Sequence, residues 1–591
     1  MSIPATVVPG QATAAGPGPA ARAGTGGRTG RFAVCEQLLA DGISYVFGNP
    51  GTVEQGFLDA LDSYPDLRYV CTLHETVALA VADGYARATH RPAVVQLHSG
   101  VGLGNGIGMM YQANRGHSPL VVLAGEAGVR YEAMDAQMAA DLVSMAQPVT
   151  KWAARVTHPD SLLRLLRRAI KIAMTPPTGP VFLALPMDVL DAPNAERAVP
   201  TTILDTRTAP EPALVTQAAR LLAGAKRPLV IVGDGVAFSG AQPELARVAE
   251  AWGAPVWGAD SSEVNLSSEH PHYRGLLGHM FAKDSLPVTT RADAVLICGT
   301  YVFPEVFPAL AGAFTPEARI VHIDLDTDAI AKNFPVDLGL VSDPKLTLAQ
   351  LARALEREMS GAQRDAARER AASLAAEQQR AGRLERHADE ARRDEMPVPG
   401  SRFMAELAEL APDDVAVFDE ALTTSPELTR YLPPATPGRY LQTRGGSLGV
   451  GIPGALGLKL ADPARTVFGF AGDGGAMYTI QALWTAAHHD IGAKIVVCNN
   501  RSYRILKDNI RQYWRERDLP RHEFPASFDL RDPELRFDKL AESLGVPAVR
   551  VESAADIRPA IIRALETEGP FLIDLVINGK VPEDGHVRCG Q

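Results

Sequence analysis

Beyond residue 30, short apolar runs alternate with longer stretches whose apolar residues recur at helical spacing. The runs at 44–48, 93–97, 120–124 and 180–185 predict strands in a first block. Those at 228–232, 294–298 and 320–323 do so in a second, and those at 415–418, 466–471, 494–498 and 571–576 in a third. Between strands, residues 161–174 carry Leu and Ile at helical spacing with Arg and Lys between them, the pattern of an amphipathic crossover helix. Strand and helix in alternation is the sequence form of parallel sheets covered by helices. The expected fold is α/β, with three doubly wound parallel-sheet domains at 31–191, 205–358 and 402–578.

The segments between and before these blocks differ in composition. Residues 361–394 are dense in Ala, Arg and Glu, which predicts a solvated helix or tether within a charged linker at 359–401, ended by Pro397 and Pro399. Residues 1–30 are rich in Ala, Gly and Pro and lack a secretory apolar core, so a disordered tail is expected. A length of 591 residues exceeds one core. The net charge of −11 argues against a nucleic-acid surface or a polybasic membrane patch. No apolar run approaches the roughly 20 residues that cross a bilayer. The five cysteines, Cys35, Cys71, Cys298, Cys498 and Cys589, form no CxxC pair, which suits reduced thiols and a cytoplasmic location.

The sharpest chemical signal lies in the third block. One predicted strand ends in Gly472-Asp473-Gly474 and another in Asn499-Asn500, with Asp473 and Asn500 27 positions apart. A carboxylate and an amide oxygen at the carboxyl ends of neighbouring parallel strands can meet one Mg²⁺, whose remaining ligands come from phosphates and water. Gly472 and Gly474 let the backbone approach a diphosphate closely. The tripeptide alone says little: Gly233-Asp234-Gly235 also follows a strand, yet Ser261 stands 27 positions on, with no Asn pair. The glycine-rich run from Gly102 to Gly108 lacks the spacing of a dinucleotide fingerprint.

The spaced pair resembles the diphosphate–metal motif of thiamine diphosphate enzymes. With Phe47-Gly48-Asn49-Pro50-Gly51-Thr52 and His74-Glu75, the chain resembles the pyruvate oxidase, acetolactate synthase and benzoylformate decarboxylase superfamily over residues 31–577, closest in detail to benzoylformate decarboxylase. That resemblance implies a pyrimidine-binding, a middle and a diphosphate-binding domain, in that order. It implies thiamine diphosphate and Mg²⁺, the metal held by Asp473, Asn500 and the Ser502 carbonyl. Glu75 would face the aminopyrimidine ring and promote formation of the ylid. His98 and Thr52 match residues beside the substrate. Gly446 and Leu448 match the segment beneath the cofactor, and Thr423 and Thr424 can donate hydroxyls to the diphosphate. His74, His117, His488 and His489 read as structural.

One departure matters. Benzoylformate decarboxylase carries a second catalytic histidine in its middle domain, where Val306 stands here and only Glu305 offers a substitute. The arginine-bearing FAD contact of acetolactate synthases is also missing, so no FAD is expected. The implied reaction is decarboxylation of a 2-oxo acid through an enamine, released as an aldehyde or ligated to an acceptor carbonyl. Alternatives are an acetolactate synthase-like carboligase, a redox enzyme of the pyruvate oxidase type and an idle cofactor-binding partner. The resemblance further implies a homodimer or homotetramer with active sites between subunits.

Overall fold

The computed structural model describes residues 27–278, 281–302 and 305–581. Most of the expected tail, and Cys589, lie outside them. Residues 28–30 already belong to the fold. Thr29 bridges Pro193, the Arg28 guanidinium donates to Glu36 at 2.7 Å, and a helix starts at Gly30.

Three six-stranded sheets follow, and every strand pairing within them is parallel. The first contains β1 (Tyr45–Gly48), β2 (Arg68–Cys71), β3 (Ala93–Leu97), β4 (Leu120–Glu126), β5 (Trp152–Arg155) and β6 (Val181–Pro186), in the order β2-β1-β3-β4-β6-β5. The second contains β7 (Pro228–Val232), β8 (Val256–Gly258), β9 (Tyr273–Leu276), β10 (Ala294–Cys298), β11 (Arg319–Asp324) and β12 (Leu338–Val341), in the order β12-β11-β10-β7-β8-β9. The third contains β13 (Ala416–Glu420), β14 (Tyr440–Gln442), β15 (Val467–Gly472), β16 (Lys494–Asn499), β17 (Ala548–Val551) and β18 (Phe571–Val576), in the order β14-β13-β15-β16-β18-β17. The outer two sheets thus share one winding. Each reverses direction beside its first strand, which opens a crevice between β1 and β3 and another between β13 and β15.

The first and third domains join through two helices, Glu75–Thr89 and Gly451–Ala461. Their backbones touch: a Cβ on Gly84 would sit 2.2 Å from the Gly454 carbonyl oxygen, and one on Gly457 2.1 Å from that of Val81. Any larger residue at this crossing forces the domains apart. The charged linker forms a helix, Gly361–Ala391, begun by a Ser360 capping box. It is docked rather than free. Arg370 donates to the Trp252 carbonyl at 2.7 Å, Gln378 to those of Ser268 and His270, and Arg430 of the third domain pairs with Asp389 at 2.6 Å. Cys35, Cys71, Cys298 and Cys498 are unpaired thiols. Among the described residues no helix is long and apolar enough to cross a membrane.

Candidate active site

β15 delivers Asp473 to the carboxyl edge of the third sheet, where its oxygens accept from Gly474 N at 2.8 Å and Ser502 N at 3.2 Å. Burial pushes the carboxyl up to about 6, and no cation among the described residues pairs with it. The two asparagines after β16 diverge. Asn499 turns into the sheet and donates to Asp574 at 2.9 Å, whereas Asn500 keeps a buried Oδ1 without a hydrogen-bond partner. Ser502 Oγ and Thr424 Oγ1 are likewise buried and unpartnered. Buried polar atoms in native proteins are normally satisfied, so an orphaned acceptor beside an uncompensated carboxylate is what a cation and its phosphate would complete. The residues fit Mg²⁺ on this ground. Arg501 between them has φ +57, and Leu422 before Thr423 has φ +50, non-glycine strain of the kind that gathers at ligand sites.

Leu448 lies in the loop that follows β14. Its far end is held by Glu420, whose carboxylate accepts from Gly449 N at 2.6 Å and Gly451 N at 2.5 Å and which burial pushes up to about 7. Leu448 lines a cavity of about 530 Å³ with Gly446, Leu277, Leu422, Leu506 and Glu305. Glu305 is buried. Ser285 donates to one carboxylate oxygen, the other has no partner, and burial raises its pKa. Val306 beside it is exposed.

The first sheet presents a second group. Glu75 opens its helix, with the His74 ring as N-cap, and is only 4% exposed. It accepts from Asn49 at 3.3 Å and from Asn105 at 3.1 Å. His98 ends β3 and its Nδ1 lies 2.9 Å from Glu54 Oε2, whose other oxygen accepts from Gly125 N at 3.0 Å. Burial raises the Glu54 pKa against the opposing hydrogen bond of His98. Ser99 has φ +47, and Thr52 stands exposed two residues before Glu54. The glycine-rich run is helical, within Ser99–Arg115.

Glu75, His98 and Thr52 therefore gather at the edge of the first sheet. Asp473, Asn500, Ser502, Thr423, Thr424, Gly446 and Leu448 gather around the third. Among the described residues no hydrogen bond or ion pair joins the two groups. Three other histidines have structural surroundings. His489 accepts from Cys71 N at 2.8 Å, His488 stacks on Trp484, and burial lowers His117 to about 4.

Comparison with known proteins places the chain in a family. Residues 28–145 match the family description "Thiamine pyrophosphate enzyme, N-terminal TPP binding domain", 215–351 the central domain, and 423–575 the C-terminal TPP binding domain. A benzoylformate decarboxylase of Pseudomonas aeruginosa is 31% identical over 93% of this chain and 98% of its own. The chain belongs to the thiamine pyrophosphate enzymes.

Other thiamine pyrophosphate enzymes match over the same span. A probable acetolactate synthase large subunit of Methanocaldococcus jannaschii is 30% identical, covering 93% of this chain and 92% of its own. The structure of a thiamine diphosphate-dependent 4-hydroxybenzoylformate decarboxylase of Rhodococcus jostii superposes with a TM-score of 0.79 at 28% identity, over 93% of this chain and 99% of that one. The cofactor is thus thiamine diphosphate. Four polar side chains beside the two groups escaped sequence reasoning: Asn49, Glu54, Asn105 and Glu420. Asn49 stood inside a quoted motif. Asn105 stood inside the glycine-rich run, whereas Glu54 and Glu420 show no local pattern, and only burial and partners single them out.

Proposed function

We propose that this chain is a thiamine diphosphate-dependent 2-oxo acid decarboxylase whose product leaves as an aldehyde or is ligated to an acceptor carbonyl. The observation that carries the reading is Glu75, a buried carboxylate with two amide partners and no cation, at the crevice of the first sheet. The relatives named benzoylformate decarboxylase and acetolactate synthase support the reaction class.

Asp473, Asn500 and the Ser502 carbonyl would hold Mg²⁺, and Thr423, Thr424, Gly472 and Gly474 would border the diphosphate. Leu448 and Gly446, which line the adjoining cavity, would support the cofactor from below. Thiamine diphosphate, when bound, would supply an electron sink for the pair left by a departing carboxylate. Glu75 shares a proton with the aminopyrimidine nitrogen. His98, oriented by Glu54, and Thr52 face the substrate carboxylate.

Glu75 sits against the Gly102–Asn105 end of its neighbouring helix, whereas Gln112, about 10 Å further along that helix, reaches the Leu448 loop of the same chain. A second copy that brings its third domain to Glu75 completes the site, so the working unit is a homodimer or a pair of dimers. The exposed residues Leu73, Val101 and Tyr111 around this helix support that assembly. We place the enzyme in the cytoplasm, on its unpaired cysteines, and without FAD.

The test is an assay with Mg²⁺ and thiamine diphosphate on benzoylformate and on pyruvate, quantifying CO₂, free aldehyde and 2-hydroxy ketone. Glu75-dependent CO₂ supports the reading. Aldehyde equal to CO₂ identifies a decarboxylase, and hydroxy ketone identifies a carboligase. CO₂ release that survives Glu75→Gln refutes the assignment.

A further inference from the structure

The loop beneath the proposed cofactor site is gripped from all three domains. Gly445, Gly446 and Gly449 have φ of +89°, +81° and +87°, so this segment occupies backbone space that few side chains tolerate. Such a path is not self-stabilising. On the first-domain side, Gln112 accepts from Ser447 N at 3.1 Å. On the third-domain side Glu420 holds Gly449 and Gly451.

The middle domain acts through Arg444, the residue that immediately precedes the glycines and is only 8% exposed. Its Nη1 donates to Asp234 at 2.9 Å. Its Nη2 and Nε donate to the two oxygens of Asp260 at 2.9 and 3.3 Å. Such a forked pair fixes orientation as well as distance. Asp234 is itself immobilised by Ser262 N at 2.9 Å, Glu263 N at 3.1 Å and Asn265 Nδ2 at 3.0 Å. Asp260 has φ +53, in the left-handed region that few side chains adopt. Arg87 of the first domain closes the junction, donating to Ser262 Oγ at 2.9 Å and to the Gln442 carbonyl at 3.0 Å. Arg444 and Asp260 line the same 530 Å³ cavity as Leu448 and Glu305.

We propose that Arg444, clamped between Asp234 and Asp260, is a positioning residue for the reaction: it fixes the Leu448 loop against the middle-domain wall of the substrate cavity. This rests on the reading given under Proposed function only in where the loop's work is felt. The clamp itself is a property of the cofactor-free chain. A misplacement of about 1 Å near reacting groups can lower turnover 10²-fold, and a loop freed from one of its three anchors drifts on that scale.

The experiment replaces Asp260 by Asn, which keeps shape and removes one charge, and separately Arg444 by Lys, which keeps charge and removes the fork. Amide hydrogen exchange is followed in the cofactor-free protein, and kcat, KM and the near-ultraviolet circular dichroism of bound thiamine diphosphate in the loaded one. We expect amides 445–449 to exchange at least tenfold faster while those of β13 and β15 keep their rates. We expect kcat to fall 10- to 100-fold with KM changed less than threefold, and an altered dichroism band. Wild-type exchange in both variants, or wild-type kcat in a variant whose loop has loosened, overturns the proposal. If the parent protein shows no turnover, the functional reading fails, and the exchange arm still decides whether the clamp exists.

Discussion

Gly233-Asp234-Gly235 and Gly472-Asp473-Gly474 are the same three residues at the same kind of place, the carboxyl end of a central parallel strand beside a reversal in strand order. Topology alone would give both aspartates a ligand. Asp234 already has its partners: three backbone or amide donors, the Ser262 hydroxyl and the Arg444 guanidinium. Burial alone would push its carboxyl up, but Arg444 and Ser262 hold it below the usual range. Asp473 has backbone donors only, no side-chain donor and no cation, with a carboxyl pushed up by burial and orphaned oxygens on Asn500 and Ser502 beside it. A carboxylate whose lone pairs are filled by its own chain is a structural joint, and one left short is a candidate binding site.

The largest contrast is in stability. Asp234→Ala leaves the Arg444 charge buried with one partner fewer, and breaking a buried pair costs about 3–5 kcal/mol. Urea unfolding of the cofactor-free protein measures it. A loss under 1 kcal/mol would put Asp234 in the same class as Asp473.

Glu263 belongs to the Asp234 junction and gives it a pH signature. Burial, and then Asp234 and Asp83 against Arg87 and Arg444, pushes its carboxyl up to about 8. A raised carboxyl pKa favours the protonated fold. Its stabilisation is full below about pH 4.5 and is lost as pH rises towards 8, about 3 kcal/mol between pH 5 and 8. Glu263→Gln should flatten that part of the stability–pH curve. An unchanged slope would show that Glu263 is not the group responsible.

Asp473→Ala should act the other way round. Melting of the cofactor-free protein stays within about 0.5 kcal/mol of the parent or improves, since a buried uncompensated carboxylate is removed. Affinity for thiamine diphosphate with Mg²⁺, by calorimetry, falls at least 10- to 100-fold, a range already seen for partners one shell further out. The smallest effect is Ser502→Ala. The proposed ligand is its main-chain carbonyl, so affinity should move by less than about 0.5 kcal/mol. A loss as large as that of Asp473→Ala would transfer the ligand role to the hydroxyl.

What could be read from sequence follows the same division. β3, β7, β10 and β18 were delimited to the residue, because central parallel strands are buried on both faces and appear as unbroken apolar runs. β2, β5, β12 and β17, at or next to the sheet edges, were missed, since their burial alternates or is partial. Asp473 and Asn500 were legible because their 27-residue spacing resembles a family motif, and the fold sets both at the carboxyl ends of the paired strands β15 and β16. The clamp was not, since Arg444 meets partners 210 and 184 residues away, and no spacing rule reaches that far. The contact of His98 with Glu54 spans 44 residues and two strands, and was missed for the same reason.

The central claim is that Glu75 activates thiamine diphosphate held at Asp473 and Asn500. Its most direct test is the rate at which the C2 proton of the bound cofactor exchanges for deuterium, followed by NMR after acid quench in the parent and in Glu75→Gln, both saturated with Mg²⁺. The account predicts exchange slowed about 10²- to 10⁴-fold in the variant, the range of a lost proton-transfer group. Equal rates in the two proteins would contradict it.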